Sequence, residues 1–155
     1  MSATTATRLA DGRVVLAGGF EDGLPSGASW LFDPDSAVLT VAGGLSRPRT
    51  DHSATLLPDG SVLILGGPIV TAVEVINPGS LTSGVIADTG TPRADHTTTL
   101  LGDGRVLVAG GRFAALALDD LLVYDTADQS LMELGAALPP DVPDPVQPEP
   151  GALTR

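Results

Sequence analysis

The sequence predicts an all-β chain of three like units, each a four-stranded antiparallel meander, and three observations lead to that expectation. First, the segment DGRVVLAGG from Asp11 to Gly19 returns as DGSVLILGG from Asp59 to Gly67 and as DGRVLVAGG from Asp103 to Gly111. The spacings of 48 and 44 residues are those of stacked supersecondary modules, which bury their apolar faces only against their neighbours. Second, the apolar runs are short, rich in β-branched residues and separated by Asp-Gly and Asp-Pro turn dipeptides, the pattern of hairpins. Third, no stretch shows helical periodicity of useful length, and Ala114 to Leu118 is too short to nucleate a helix by itself.

Strand one of each unit ends, and strand two begins, at the Asp-Gly pair, as in the run Ser53 to Leu65. We read this Asp-Gly as a two-residue hairpin turn in which both central residues take positive φ. Strand two, at Val14 to Ala17, Val62 to Leu65 and Val106 to Ala109, is apolar on both faces, as a strand sandwiched between neighbouring sheets should be. Gly-Gly then ends it and permits close backbone approach. Strand three is expected at Ala28 to Phe32, Ala72 to Ile76 and Asp120 to Tyr124, each running into an Asp-Pro, Asn-Pro or Asp-Thr pair, which is type I turn chemistry. Strand four follows at Val38 to Val41, Ser83 to Ala87 and Leu131 to Leu134.

The spacings locate the insertions. Gly19 to Phe32 and Gly111 to Tyr124 are each 13 residues apart, whereas Gly67 to Ile76 is 9. Only the loop between strands two and three changes length; His52 to Gly66 and His96 to Gly110 are both 14 apart. Variable loops on a constant scaffold are where recognition usually sits.

A Pro-Arg-x-Asp-His segment at Pro48 to His52 and Pro92 to His96, an inner strand closing in Gly-Gly, and a large residue at Phe32, Ile76 and Tyr124 together resemble the kelch repeat. That repeat is the blade of a family of β-propellers, and its bacterial form with a DGRVLVAGG core is the nearest in pattern. The resemblance spans residues 3–135, but the family's Trp position holds Leu39, Ser83 and Leu131. It implies a β-propeller segment of three blades, over about residues 1–45, 46–89 and 90–138, forming an incomplete ring or half of a six-bladed ring. Propellers close with about 4 to 8 blades, so closure calls for a homodimer or for neighbouring blades missing from this chain. Met1 stands where a Pro-Arg-x-Asp-His segment would open the first blade, which favours a fragment. The galactose oxidase propeller is distantly similar, but its copper site uses a Cys cross-linked to a Tyr, and this chain has no Cys.

All 8 basic residues are Arg, against 19 Asp and Glu, for a net charge of -11. Such a field repels phosphate backbones and anionic lipid, so neither nucleic acid nor a membrane surface is an expected partner. The N-terminus lacks the basic and apolar regions of a signal peptide, and no apolar run approaches the roughly 20 residues of a spanning helix; the compartment is left open. Residues 139–155, PPDVPDPVQPEPGALTR, hold 6 of the 13 prolines and read as an acidic polyproline-like tail or linker.

In an up-and-down meander the loops after strands two and four share one end. Phe20, Glu21, Asp22, Arg47, Arg49, Asp51, His52, Arg93, Asp95, His96, Arg112 and Phe113 are therefore expected near one another there. The two Arg-x-Asp-His segments have the chemistry to ligate a divalent metal or to grip a carboxylate or sugar acid. The same groups repeated in each unit also suit a structural duty, pairing polar groups between units, and that is the expectation, with no metal and no cofactor. No nucleophile-elbow G-x-S-x-G, zinc H-E-x-x-H or calcium-loop motif is present. The sequence points to a non-catalytic scaffold that binds protein, or glycan, through these loops. The alternative is a partial or accessory propeller of a secreted carbohydrate-active or oxidase-like enzyme.

Overall fold

The computed structural model describes residues 3–134; the Pro-rich segment 139–155 lies outside them. The first unit forms β1 (Thr5–Arg8), β2 (Val14–Ala17), a small hairpin of β3 (Phe20–Glu21) and β4 (Leu24–Pro25), then β5 (Ala28–Asp33) and β6 (Val38–Gly44). The second forms β7 (Ser53–Leu56), β8 (Val62–Leu65), β9 (Ala72–Asn77) and β10 (Thr82–Asp88). The third forms β11 (Thr97–Leu100), β12 (Val106–Ala109), a hairpin of β13 (Arg112–Phe113) and β14 (Leu116–Ala117), then β15 (Leu121–Asp125) and β16 (Ser130–Glu133). Three four-stranded antiparallel meanders result, in the orders β1-β2-β5-β6, β7-β8-β9-β10 and β11-β12-β15-β16, and the fold is all-β as expected. The two extra hairpins occupy the loop whose length varies, and the short loop of the second sheet has none.

The turn chemistry differs from expectation. At the inner hairpins only the glycine takes positive φ, at +92° for Gly12, +85° for Gly60 and +90° for Gly104. Gly12 N–H donates to the Leu9 carbonyl at 3.1 Å, and Leu9 N–H to the Arg13 carbonyl at 2.8 Å. The connection is thus a three-residue loop, a type I turn closed by a glycine bulge. Asp11 stays at negative φ because its carboxylate accepts the Arg13 N–H at 3.1 Å, as Asp59 accepts that of Ser61 at 2.9 Å and Asp103 that of Arg105 at 3.1 Å. The two-residue turn with paired positive φ does occur, at Asp22 (+51°) and Gly23 (+79°) at the tip of β3–β4.

Strand alternation divides each sheet between two neighbours. Val15, Ala17 and Leu31 of the first sheet meet Val62, Ile64 and Ile76 of the second in one buried cluster. Leu63, Leu65 and Val73, on the opposite face of the second sheet, meet Val106, Val108, Leu122 and Tyr124 of the third in another. All of β8 is accordingly buried, whereas β2 and β12 alternate buried with half-buried residues. Among the described residues the first and third sheets each pack one face against the second.

The Gly-Gly that ends strand two is dictated by the next sheet. A Cβ on Gly18 would lie 2.6 Å from His52 Cε1 and 2.7 Å from the Arg49 carbonyl oxygen. Gly66 stands in the same relation to His96 and to the Arg93 carbonyl. Gly60, at a similar φ of +85°, has open space where its Cβ would be. Substituting Gly60→Ala should therefore cost only the strain of left-handed backbone, about 1–2 kcal/mol. Gly66→Ala adds a collision with backbone and ring and should cost about 3 kcal/mol or more. Urea denaturation of the two variants checks the ordering; equal losses would show that the joint is loose at this point.

Candidate functional site

The Arg-x-Asp-His segments form the joints between sheets. His52 Nε2 lies 2.9 Å from the hydroxyl of Thr5 on β1, and His96 Nε2 lies 2.9 Å from that of Ser53 on β7. Each hydroxyl also donates to a carbonyl across its own ladder, Ala17 or Leu65, at 3.4 Å, so it accepts from an Nε2–H. That tautomer leaves the buried Nδ1 unprotonated and without a partner, and an unpaired lone pair costs less than an unpaired N–H. Burial, followed by the charge of Arg49, pushes the His52 pKa down to about 4, and burial followed by Arg93 does the same for His96, also to about 4. Both rings are neutral at pH 7.

The arginines are equally enclosed. Arg49, 1% exposed, donates to the carbonyls of Gly66 at 3.3 Å and Ala72 at 2.9 Å and pairs with the fully buried Glu74. Glu74 also accepts from the Ser46 N–H at 2.7 Å and hydroxyl at 2.9 Å, which ties the preceding connection to the second sheet. Burial lowers the Arg49 pKa while Glu74 opposes it. Arg93 makes a bidentate pair with Asp120, at 3.0 and 2.7 Å, and donates to the Gly110 carbonyl at 3.1 Å. The hydrogen bonds from the Arg93 guanidinium hold the Asp120 pKa below the usual carboxylate value.

Arg49, His52, Arg93 and His96, expected on a ligand-facing rim, are thus inside the joints. Their identical placement reflects the repeat of one packing problem. Asp51 and Asp95 stay exposed beside them at φ of +51° and +55°; Asp95 pairs with the exposed Arg112. Glu21 and Asp22 are exposed on the β3–β4 hairpin, where Glu21 accepts from the Ser26 hydroxyl at 3.2 Å. Phe113 is 38% exposed on β13, whereas Phe20 is half-buried on β3. Among the described residues no three His, Cys, Asp or Glu side chains are grouped so as to hold a metal ion.

What the loops do enclose is a cleft of about 730 Å³ beside the short loop of the second sheet. Pro25 of the neighbouring hairpin, Arg47, Pro48, Pro68, Ile69 and Asp88 are among its walls. The cleft lies at the loop of the second sheet that carries no hairpin, unlike those of the other two. Of its walls only Arg47 and Arg49 had been singled out from sequence. The shortened loop is the one trace of it in the sequence, and Ile69, 84% exposed within that loop, is its most conspicuous apolar group.

No family model matches the chain. The tRNA wybutosine-synthesizing protein 4 of Saccharomyces cerevisiae shares 49% identity over 39 residues, which is 25% of this chain and 6% of that protein. Among solved structures, a fungal alcohol oxidase of the AA5 family in complex with copper superposes with a TM-score of 0.70 at 16% identity. The match covers 87% of this chain and 30% of the oxidase chain. At that identity it establishes a shared fold of blade-like sheets stacked as in a propeller. The chain spans less than a third of the length of either protein.

Two outcomes follow from the joints. Glu74→Gln should cost about 3–5 kcal/mol, because it strands the buried Arg49 charge, whereas Arg49→Met combined with Glu74→Leu should recover most of that loss in urea melts. The histidines set the second. Their folded pKa values lie below the unfolded value of 6.5, so the unfolded chain binds more protons between pH 6.5 and 4. Stability should be fully present above pH 6.5 and fall as pH drops toward 4, by up to ~3 kcal/mol per ring. A His52→Gln/His96→Gln variant should lose that slope; an unchanged slope would assign it to other groups.

Proposed function

We propose that the chain is a non-catalytic, kelch-type scaffold that holds a protein partner at the loops following strands two and four. The observation that supports this most is the cleft beside the short Gly67–Thr71 loop, with Ile69 exposed and Arg47 on its wall. A concave, mostly apolar wall with a few polar groups is the general form of a binding site. Its apolar walls are proline and aliphatic side chains with no aromatic face on which a sugar ring could stack, which favours a peptide segment over a glycan. Leu24, exposed on the β3–β4 hairpin next to the lining Pro25, adds a further apolar group on that side. The charge of Arg49 is taken up by Glu74, which leaves Arg47 and Asp88 as one charge of each sign on the cleft wall, so that the orientation of a bound peptide is biased.

A second reading has the structural likeness to the copper alcohol oxidase in its favour: the chain is then one portion of a larger oxidase-like propeller. The two readings differ in what the cleft residues do. Peptides selected from a random library on the immobilised chain should bind the cleft and weaken at least about tenfold, some 1.4 kcal/mol, on Ile69→Asp or Arg47→Glu. Fluorescence anisotropy of a labelled selected peptide gives the affinity. Selected peptides that bind both variants as tightly as the parent would overturn the assignment to this cleft, and selection of none would count against a peptide-binding role.

A further inference from the structure

The dipeptide Asp-Gly occurs at Asp11, Asp22, Asp59 and Asp103. It is the pair in which a peptide nitrogen most readily attacks the preceding side-chain carboxyl, because glycine has no Cβ to shield its N–H. The fold treats the four differently. At the three inner hairpins both reacting groups are occupied. The N–H groups of Gly12, Gly60 and Gly104 donate to the carbonyls of Leu9, Leu57 and Leu101 at 3.1, 3.0 and 3.0 Å. The Asp11 carboxylate accepts from the N–H and guanidinium of Arg13, that of Asp103 from the same groups of Arg105, and that of Asp59 from the N–H and hydroxyl of Ser61.

Asp22 is the exception. Among the described residues neither its carboxylate nor the Gly23 N–H has a hydrogen-bond partner, and Glu21 to Pro25 are all exposed. Only two residue pairs, Phe20 with Pro25 and Glu21 with Leu24, hold this hairpin together. Little therefore resists the rotation about the Asp22 backbone that brings the Gly23 nitrogen to the carboxyl carbon. The space around the turn is open as well, since a Cβ on Gly23 would meet nothing within 4 Å.

We propose that Asp22 is a site of spontaneous backbone isomerisation, in which the Gly23 nitrogen attacks Cγ of Asp22. The N–Cγ bond forms and a Cγ–O bond breaks, with the amide proton and the hydroxyl leaving as water, and a succinimide closes. Water then adds to either ring carbonyl. Opening at the side-chain carbonyl restores the original link; opening at the backbone carbonyl leaves the chain running through the side chain, with a new α-carboxylate. Mass and formal charge are conserved, but the backbone is one carbon longer between Glu21 and Leu24. A two-residue turn has no slack for that carbon, so the closing pair and Pro25, a wall of the cleft, are displaced. On the peptide-binding reading of the cleft, which this last step assumes, the isomerised chain binds more weakly; the isomerisation itself is independent of that reading.

Cleavage after arginine places the four pairs on separate peptides, 9–13, 14–49, 50–93 and 94–105. When the folded chain is incubated at neutral pH, isoaspartate read by electron-transfer fragmentation should accumulate in 14–49 at least about tenfold faster than in the others, whose pairs must first give up two or more hydrogen bonds. In chain held unfolded in guanidinium the four rates should converge. Asp22→Glu, which keeps the charge but would need a six-membered ring, should abolish the signal at this position. Comparable rates in the folded chain, or a lead of 14–49 that persists on unfolding, would overturn the proposal. The isoaspartyl form, separated by anion exchange, should bind a selected labelled peptide at least about tenfold more weakly than the parent. Unchanged affinity of that form would overturn its coupling to the cleft. If selection yields no peptide, the reading of the cleft fails while the isomerisation rates still decide the site.

Discussion

The space left by a missing side chain governs this molecule. Where strand two leaves each of the first two sheets, a glycine at positive φ leaves room for the histidine of the next sheet, and the ring then reaches a hydroxyl on strand one. Shape and polarity are fixed together: the ring fits only over glycine, and its one N–H finds its one acceptor only in that position. The buried Arg–carboxylate pairs then hold the backbone that carries the histidine. The two apolar clusters between sheets are the consequence of stacking at the distance that this contact sets.

The first sheet shows how the carboxylate partner depends on the arginine. The position of Glu74 on β9 is taken on β5 by Trp30, since Ile64 pairs with Glu74 and Leu16 with Trp30. The position of Arg49 falls at Met1. Neither residue type of the pair thus recurs in the first repeat, whereas in the second each compensates the buried charge of the other. In the third sheet the carboxylate survives but moves two residues along the strand, to Asp120, at the position of Ala72. The guanidinium tolerates this shift because its fork can meet a carboxylate from either end.

Much of the architecture was legible because it rests on local rules. The DG…GG repeat placed strands one and two of each sheet, the Asp-Pro, Asn-Pro and Asp-Thr pairs placed strands three and four, and loop arithmetic located the two extra hairpins without revealing that they were strands. The turn type was misread where the Asp side chain could bond its own backbone, as Asp11 does with Arg13, so that only glycine needed positive φ. The site was less legible. His52 and His96 look like ligands in one dimension because nothing in a sequence says which neighbour a side chain will be buried against. The cleft left its trace only as a deletion, and Ile69 carries no motif at all.

The β3–β4 and β13–β14 hairpins contribute no residue to either buried apolar cluster. Loop length and stability are therefore nearly independent variables in this fold. The loop after strand two can thus be four residues shorter in the second sheet while both buried clusters persist, although where the hairpin is present Arg112 also bonds the backbone of Ala94 at 2.8 and 2.9 Å. Position around the array thus becomes an address that can be rewritten by changing the length of one connection, with the interior left as it is.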